Sequence, residues 1–377
     1  MTAGDPGTFN PQRLELARRR RGLSIIDFAR LVGVTTRQVT NYESGRSSPG
    51  ASTWDSIVET LGFPKDFYFR AALLNLRDEN ATFRSLRRTT ATQRGQVLAA
   101  GALAMELSSW IEEKFNLPDV DIPDLSVYAG QPEAAAAALR SQWGLGERSI
   151  SHTIGLLETH GVRVFSLAEE LREVNAFSVW VGKRPFIFLN TMKSAEASRF
   201  DAMHELAHLT MHRETGDLRE TETEANAFAA AVLMPAADVL AVAPRHATLQ
   251  HIIKLKKRWG VAASALARRL HDLEVIGPWP YRTLCIELNR HGFKTNEPHP
   301  IPQRESSRVL TKVFNDLRQD GITLNTIAAE LAIPRTELQR LVFGLAMMGV
   351  GGTSGARQNA SRAATTLRLV SDSDSVS

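Results

Sequence analysis

The stretch "RFDAMHELAHLTMHRE", residues 199–214, sets His204 and His208 four residues apart, with Glu205 directly after the first. Side chains four apart on a helix project from one face, one turn from each other. Both imidazoles can therefore aim at a single point. Zinc takes ligand nitrogens at about 2.0–2.1 Å in a roughly tetrahedral shell, and two such histidines supply half of it. Glu205 lies beside that face, where a general base takes a proton from water at the metal. The competing reading is a solvated helix with two surface histidines. The neighbours favour the metal: the stretch follows an apolar hairpin, reads as an amphipathic helix and precedes a second, acidic helix. His212, four beyond His208, reads as a neighbouring surface or supporting histidine rather than a fourth ligand.

A hydrolytic zinc site needs a third protein ligand and leaves a position for water. "ETETEANAFAAAVLMP", residues 220–235, offers Glu220, Glu222 and Glu224. Glu222 is favoured because Asn226 lies four residues on and shares its helical face. The carboxylate would meet the metal while the amide orients a histidine or the facing helix's backbone. Glu224 is the second choice.

Upstream, "SISHTIGLLETHG" reads as a helix and "VRVFSL" as a strand. "FSVWV" and "PFIFLN" flank "GKR" as a hairpin with Gly182 in its turn. "PFIFLN" can be read as an edge that pairs with an extended peptide, with a purely core-packed strand as the rival reading. Downstream, residues 246–300 carry helical pattern, and the tail from Gly349, rich in Gly, Ser and Thr, predicts disorder. The boundaries drawn are 12–70, 71–125 (helical connector and the proline-punctuated linker "NLPDVDIPDL"), 126–245, 246–345 and 346–377.

The N-terminal unit has a different chemistry. In "RLELARRRRGLSIIDFARLVGVTTRQVTNYESGRSSP", Ser24 suits an N-cap for a helix carrying Phe28, Ala29 and Val32, and Gly33 supplies a turn. A second helix from Thr35 or Thr36 buries Val39 and Tyr42. It leaves Thr36, Arg37, Gln38, Thr40 and Asn41 outward, residue types that suit base edges in the major groove. Arg46 and the run Arg18–Arg21 can meet phosphates. A solvated basic face on a small bundle is the plainer alternative, and the arginine run alone reads that way. "ITLNTIAAELAIPRTELQRLV" has the same outline, but a proline stands at the start of its second helix, so a packing or dimer role fits it better.

The chain has 377 residues, enough for two or three domains, with a hydrophobic fraction of 43% and a formal net charge of +4. That charge is too small to argue nucleic-acid binding by itself. One cysteine, Cys285, excludes an internal disulfide framework and suits a reducing cytoplasm. No secretory leader is visible, and no run of about 18 apolar residues can span a bilayer. A cytoplasmic protein is expected.

"RFDAMHELAHLTMH" followed by "ETEANAFAAAVLMP" resembles the ImmA/IrrE family of bacterial metallopeptidases. "NAFSVWVGKRPFIFLN" and "LKKRWGVAASALARRLHDLEVI…YRTLCIELNRHGFKTNEP" look like the same family's flanking segments, so the likeness covers about residues 130–300. It implies a gluzincin-like peptidase fold with a small sheet, zinc on His204 and His208, Glu205 as base and Glu222 as third ligand. Two positions depart from the family: Ala207 stands where glycine is common, and Asn175 where aspartate often occurs. Residues Ala29, Gly33, Val39, Glu43 and Gly45 fall in the order of a Cro/cI (XRE)-type helix-turn-helix, which the N-terminal segment resembles. That likeness implies a five-helix domain, with Thr36, Arg37 and Asn41 as base readers and Gln38 close behind.

The fold class expected is thus α+β and mostly helical: a helix-turn-helix domain, a central peptidase domain and a C-terminal helical domain. The function expected is a transcriptional regulator that binds double-stranded operator DNA as a homodimer and carries a zinc endopeptidase. Its substrate would be a repressor or other regulatory protein in a stress, mobile-element or toxin–antitoxin response. The alternative is a regulator or antitoxin whose zinc domain only binds a partner protein.

Overall fold

A computed structural model describes residues 8–73, 90–167, 174–213, 217–244, 246–293 and 296–346. The tail for which disorder is expected, from Gly349, lies outside the described residues. The chain opens with α1 (Pro11–Arg20), α2 (Ile25–Val32), α3 (Thr36–Glu43), α4 (Ala51–Leu61), a 3-10 turn (Lys65–Phe69) and α5 (Ala91–Lys114). Next come α6 (Pro132–Gln142), α7 (Thr153–Thr159), β1 (Arg163–Ser166), β2 (Ala176–Val181) and β3 (Arg184–Leu189). The helices α8 (Ala195–Thr210), α9 (Leu218–Leu233), α10 (Ala236–Val242), α11 (Leu249–Trp259), α12 (Ala263–Asp272) and α13 (Pro278–Arg290) follow. The last are α14 (Arg308–Gln319), α15 (Leu324–Leu331) and α16 (Arg335–Val342). The described residues are mostly helical with one small sheet, as expected. Two compact units emerge: residues 1–118, 165–174 and 309–377 form one, and 119–164 with 175–308 form the other.

In the first unit α1, α2 and α3 begin where a side chain satisfies their bare N–H groups. The Asn10 side chain accepts from Gln12 N–H, and Ser24 from Asp27 N–H. Gly33, at φ 76°, ends α2 in the left-handed conformation that glycine adopts without strain. Thr35 and Gln38 then form a reciprocal capping box that starts α3. Leu14, Phe28, Val39, Ile57, Leu61, Phe63 and Phe67 are fully buried and make the core of α1–α4.

The late helix pair α15–α16 belongs to this unit as packing. Glu337 on α16 is fully buried and takes both Arg20 of α1 and Arg21, which follows it. Glu330 accepts from the Trp110 indole of α5 at 2.7 Å, and its carbonyl from Arg70 at 2.6 Å. The packing role that Pro334 suggested is what these contacts describe.

In the second unit the hairpin β2–β3 pairs Ala176 with Leu189 through Val181 with Arg184. Gly182, at φ 59°, sits at the first position of its two-residue turn, where a positive φ is required. The strand order is β1–β3–β2. β3 therefore has a strand on each side, and the reading of "PFIFLN" as a peptide-accepting edge is overturned. Helix α8 packs on the hairpin and on α9.

Helix α8, expected to be amphipathic, is buried on more than one side. Ala202, Met203, Leu206, Ala207 and Leu209 are fully buried, and so are polar residues on its other sides. Arg199 pairs with Glu305 and donates to the carbonyls of Ile150, Trp259 and Gly260. Glu196 takes the Lys256 ammonium at 3.1 Å. Buried polar groups persist only with such partners, and these partners lie far along the chain. The Ala207 methyl is inside the core, while Asn175, exposed, closes the hairpin base by accepting from Asn190 N–H at 3.0 Å.

Candidate metal centre and nucleic-acid face

Helices α8 and α9 lie side by side and bring His204, His208 and Glu222 together, with one candidate ligand atom from each inside a 4.8 Å sphere of mutual distance. The two Nε2 atoms stand 3.2 Å apart. Each oxygen of Glu222 faces one ring, Oε2 at 3.5 Å from His204 and Oε1 at 3.4 Å from His208. A tetrahedral shell with bonds of about 2.0–2.1 Å has edges of about 3.3–3.4 Å, so these spacings suit one divalent ion. Oε1 of Glu222 is buried and makes no hydrogen bond, as an atom waiting for a cation would.

Proton assignment points the same way. The Asn226 amide nitrogen donates to the Glu222 carbonyl at 2.7 Å, which turns its oxygen toward His204 Nδ1 at 3.2 Å. That oxygen only accepts, so Nδ1 carries the proton and a neutral His204 leaves Nε2 bare. Two bare ring nitrogens at 3.2 Å repel each other unless a proton or a metal lies between them.

The charges follow from this crowding. Burial pushes the His208 imidazole down to about 4, only partly offset by Glu222. It is a neutral ring at pH 7, the form that binds metal. Burial also pulls His204 down, but the carboxylates of Glu222, Glu205 and Asp201 outweigh it and leave the ring above its usual value. The two imidazoles hold the Glu222 carboxyl well below the usual carboxylate range.

Glu205, next to His204 on α8, reaches strand β2. Its Oε2 accepts from the Ser178 hydroxyl at 2.7 Å. Burial pushes its carboxyl up to about 7, against the pull of His204 and Ser178 and with the push of Asp201 and Glu222. A carboxyl near neutrality can both take and return a proton. Ser178 was not identified from sequence. Its signal was a lone hydroxyl among the buried residues of "AFSVWV". Of the other acids, Glu220 is exposed, and Glu224 turns to His212 at 3.1 Å instead of joining the cluster. His212 itself is buried, not on the surface.

On α3, Thr36, Arg37, Gln38 and Thr40 are exposed, Asn41 is half-buried, and Arg46 is exposed in the loop that follows. Gln38 carries a second duty: its carboxamide oxygen accepts from Thr35 N–H at 2.9 Å and Thr35 Oγ1 at 3.0 Å. A bidentate grip on adenine uses both ends of the amide, so Gln38 cannot make one while it caps α3. The arginine run is not a phosphate-facing patch. Arg18 forks onto Glu43 at 2.6 and 2.8 Å, Arg20 is buried against Glu337, and Arg21 donates to the Leu61 carbonyl at 2.6 Å. These guanidiniums tie α1 to its neighbours because each meets a carboxylate or carbonyl at the correct turn of the helix.

Residues 14–68 match the family model described as helix-turn-helix. Residues 157–271, from within α7 to α12, match the peptidase M78 model, described as the IrrE N-terminal-like domain. The two matches support a fusion of an N-terminal helix-turn-helix to an IrrE-type peptidase domain on one chain. No curated protein was found to match. Among the described residues, no single helix is long and apolar enough to cross a membrane.

Proposed function

We propose that this chain is a DNA-binding transcriptional regulator whose central domain is a zinc-dependent endopeptidase acting on a regulatory protein such as a repressor. The observation that carries the reading is the convergence of His204, His208 and Glu222, with buried Glu205 beside them. A zinc ion held by those three residues would supply Lewis acidity toward the scissile carbonyl and the attacking water.

The chain's own residues perform the rest. His204 and His208 present their Nε2 atoms, and Asn226 keeps the His204 ring oriented. Glu205 takes a proton from the attacking water as the oxygen adds to the carbonyl carbon. It returns that proton to the amide nitrogen as the C–N bond breaks, giving a carboxylic acid and an amine. Ser178 holds the carboxylate in place for both transfers.

On the DNA side, Thr36, Arg37 and Asn41 read base edges and Arg46 meets the backbone, with Gln38 contributing chiefly as a cap. Helix-turn-helix modules of this kind read two-fold sites as dimers, so a cytoplasmic homodimer on a palindromic operator is the working form.

The test is zinc content by plasma mass spectrometry together with cleavage of candidate repressors, for the parent, His204→Ala and Glu205→Gln. About one zinc per chain, lost only in His204→Ala, with cleavage lost in both variants, supports the enzyme. Zinc binding and gene regulation that survive intact in Glu205→Gln would instead mean a partner-binding zinc domain without hydrolysis.

A further inference from the structure

Beyond the three candidate ligands, a continuous line of polar groups leads away from His208. Its Nδ1 lies 3.0 Å from Nδ1 of His212, one turn further along α8. The other nitrogen of His212, Nε2, lies 3.1 Å from Glu224 Oε2 on α9. The remaining oxygen of Glu224 accepts from Gly130 N–H at 3.2 Å. The His212 side chain is 5% exposed and that of Glu224 20%, so the line runs inward from a shielded carboxylate.

The distances along this line fit one consistent arrangement of hydrogens. The Glu224 carboxylate oxygens accept, one from Gly130 N–H and the other from His212 Nε2, which therefore carries the hydrogen. His212 Nδ1 is then bare, and His208 Nδ1 must donate to it. His208 Nε2 is therefore left as a lone pair, aimed at His204 and Glu222. The opposite tautomer would set two bare nitrogens against each other at 3.0 Å inside the protein.

We infer that His212 and Glu224 are positioning residues: Glu224 orients His212, and His212 holds His208 in the tautomer and ring angle that present Nε2 to a divalent cation. The inference rests on the metal reading above and assigns two residues that the reading leaves without a role. It also accounts for the direction Glu224 takes, away from the ligand cluster although it sits two residues from Glu222. Each candidate ligand histidine then has its own anchor for Nδ1, Asn226 for His204 and His212 for His208. Such anchors raise ligand basicity and remove the rotational freedom that metal binding would otherwise have to freeze.

The experiment uses the full chain with zinc and cobalt(II) as probes. Zinc affinity is measured by competition with a chromophoric chelator, and cobalt(II) coordination by its visible absorption bands. His212→Leu removes the acceptor at similar volume, whereas His212→Asn keeps an oxygen close to the position of Nδ1. Glu224→Gln leaves His212 in place beside a neutral partner and serves if His212→Leu does not fold. His212→Leu is expected to weaken zinc binding about 10–100-fold and shift the cobalt bands. His212→Asn should recover most of the affinity, and Glu224→Gln should show a smaller loss in the same direction, with circular dichroism unchanged. Zinc affinity and cobalt bands that match the parent in both His212→Leu and Glu224→Gln overturn the inference while leaving the metal reading intact. So does an Asn variant no better than Leu, which would reduce His212 to packing. A parent chain that takes up neither ion overturns the metal reading and this inference together.

Discussion

Arg20 of α1 donates from Nε to Glu337 of α16 at 2.7 Å, and the two side chains are 1% and 0% exposed. Glu337 also receives Arg21 at 2.5 Å and Arg340 at 3.2 Å. Removing one member of a buried pair leaves the other charge dry and unmatched, which costs about 3–5 kcal/mol. Glu337→Ala should therefore lower the unfolding free energy of the first unit by that order in urea titration. An effect under about 1 kcal/mol, the usual size for exposed pairs, would show that water reaches the pair.

The same carboxylate makes stability depend on pH. Burial pushes the Glu337 carboxyl up, but Arg20 and Arg21 outweigh it and hold it below its ordinary 4.5. A depressed folded value means that the unfolded chain binds the proton first. The stabilisation is complete above about pH 4.5 and is lost as pH falls through the lower, folded value. Melting curves of the parent and Glu337→Gln between pH 7 and 3 should converge on the acid side. Parallel curves across that range would contradict the assignment.

Arg37 and Arg18 are both arginines of the helix-turn-helix, yet they separate binding from folding. Arg37 is exposed on α3, while Arg18 forks onto Glu43. Arg37→Ala should weaken operator binding by about 1–3 kcal/mol with an unchanged melting temperature. Arg18→Ala should lower the melting temperature first and DNA binding as a result. Gel-shift titration beside calorimetry distinguishes the two, and equal melting losses in both variants would refute the division.

Metal should stabilise the second unit by mass action. At about a hundredfold excess over its Kd, a ligand that binds only the folded state adds about 2.7 kcal/mol. Zinc should raise the melting temperature of the parent, a chelator should reverse the rise, and His204→Ala should show neither. Equal responses in parent and variant would place the bound zinc elsewhere.

Local signals were the legible part of this fold. Ser24, Gly33 and Gly182 act within a few residues of themselves, so the sequence marks their caps and turn directly. The convergence of His204, His208 and Glu222 was legible because helices of known pitch carry them. What escaped was set by distance along the chain. The run Arg18–Arg21 reads as a solvated basic face until Glu43, Leu61 and Glu337 arrive as partners. β3 reads as an available edge until β1 takes its far side. The burial of Arg199 on α8 was not legible because Glu305, which satisfies it, lies 106 residues on.

The pairing of Arg20 with Glu337 also sets a clock on biosynthesis. The two residues are separated by 317 positions, which at about 5–20 residues per second is roughly 15–65 s of translation. Through that interval α1 leaves the ribosome with Arg20 and Arg21 lacking the carboxylate that later buries them. The DNA-reading unit reaches its final packing only after the whole peptidase domain has been made. A ribosome that stalls within that domain releases a reader without its last support.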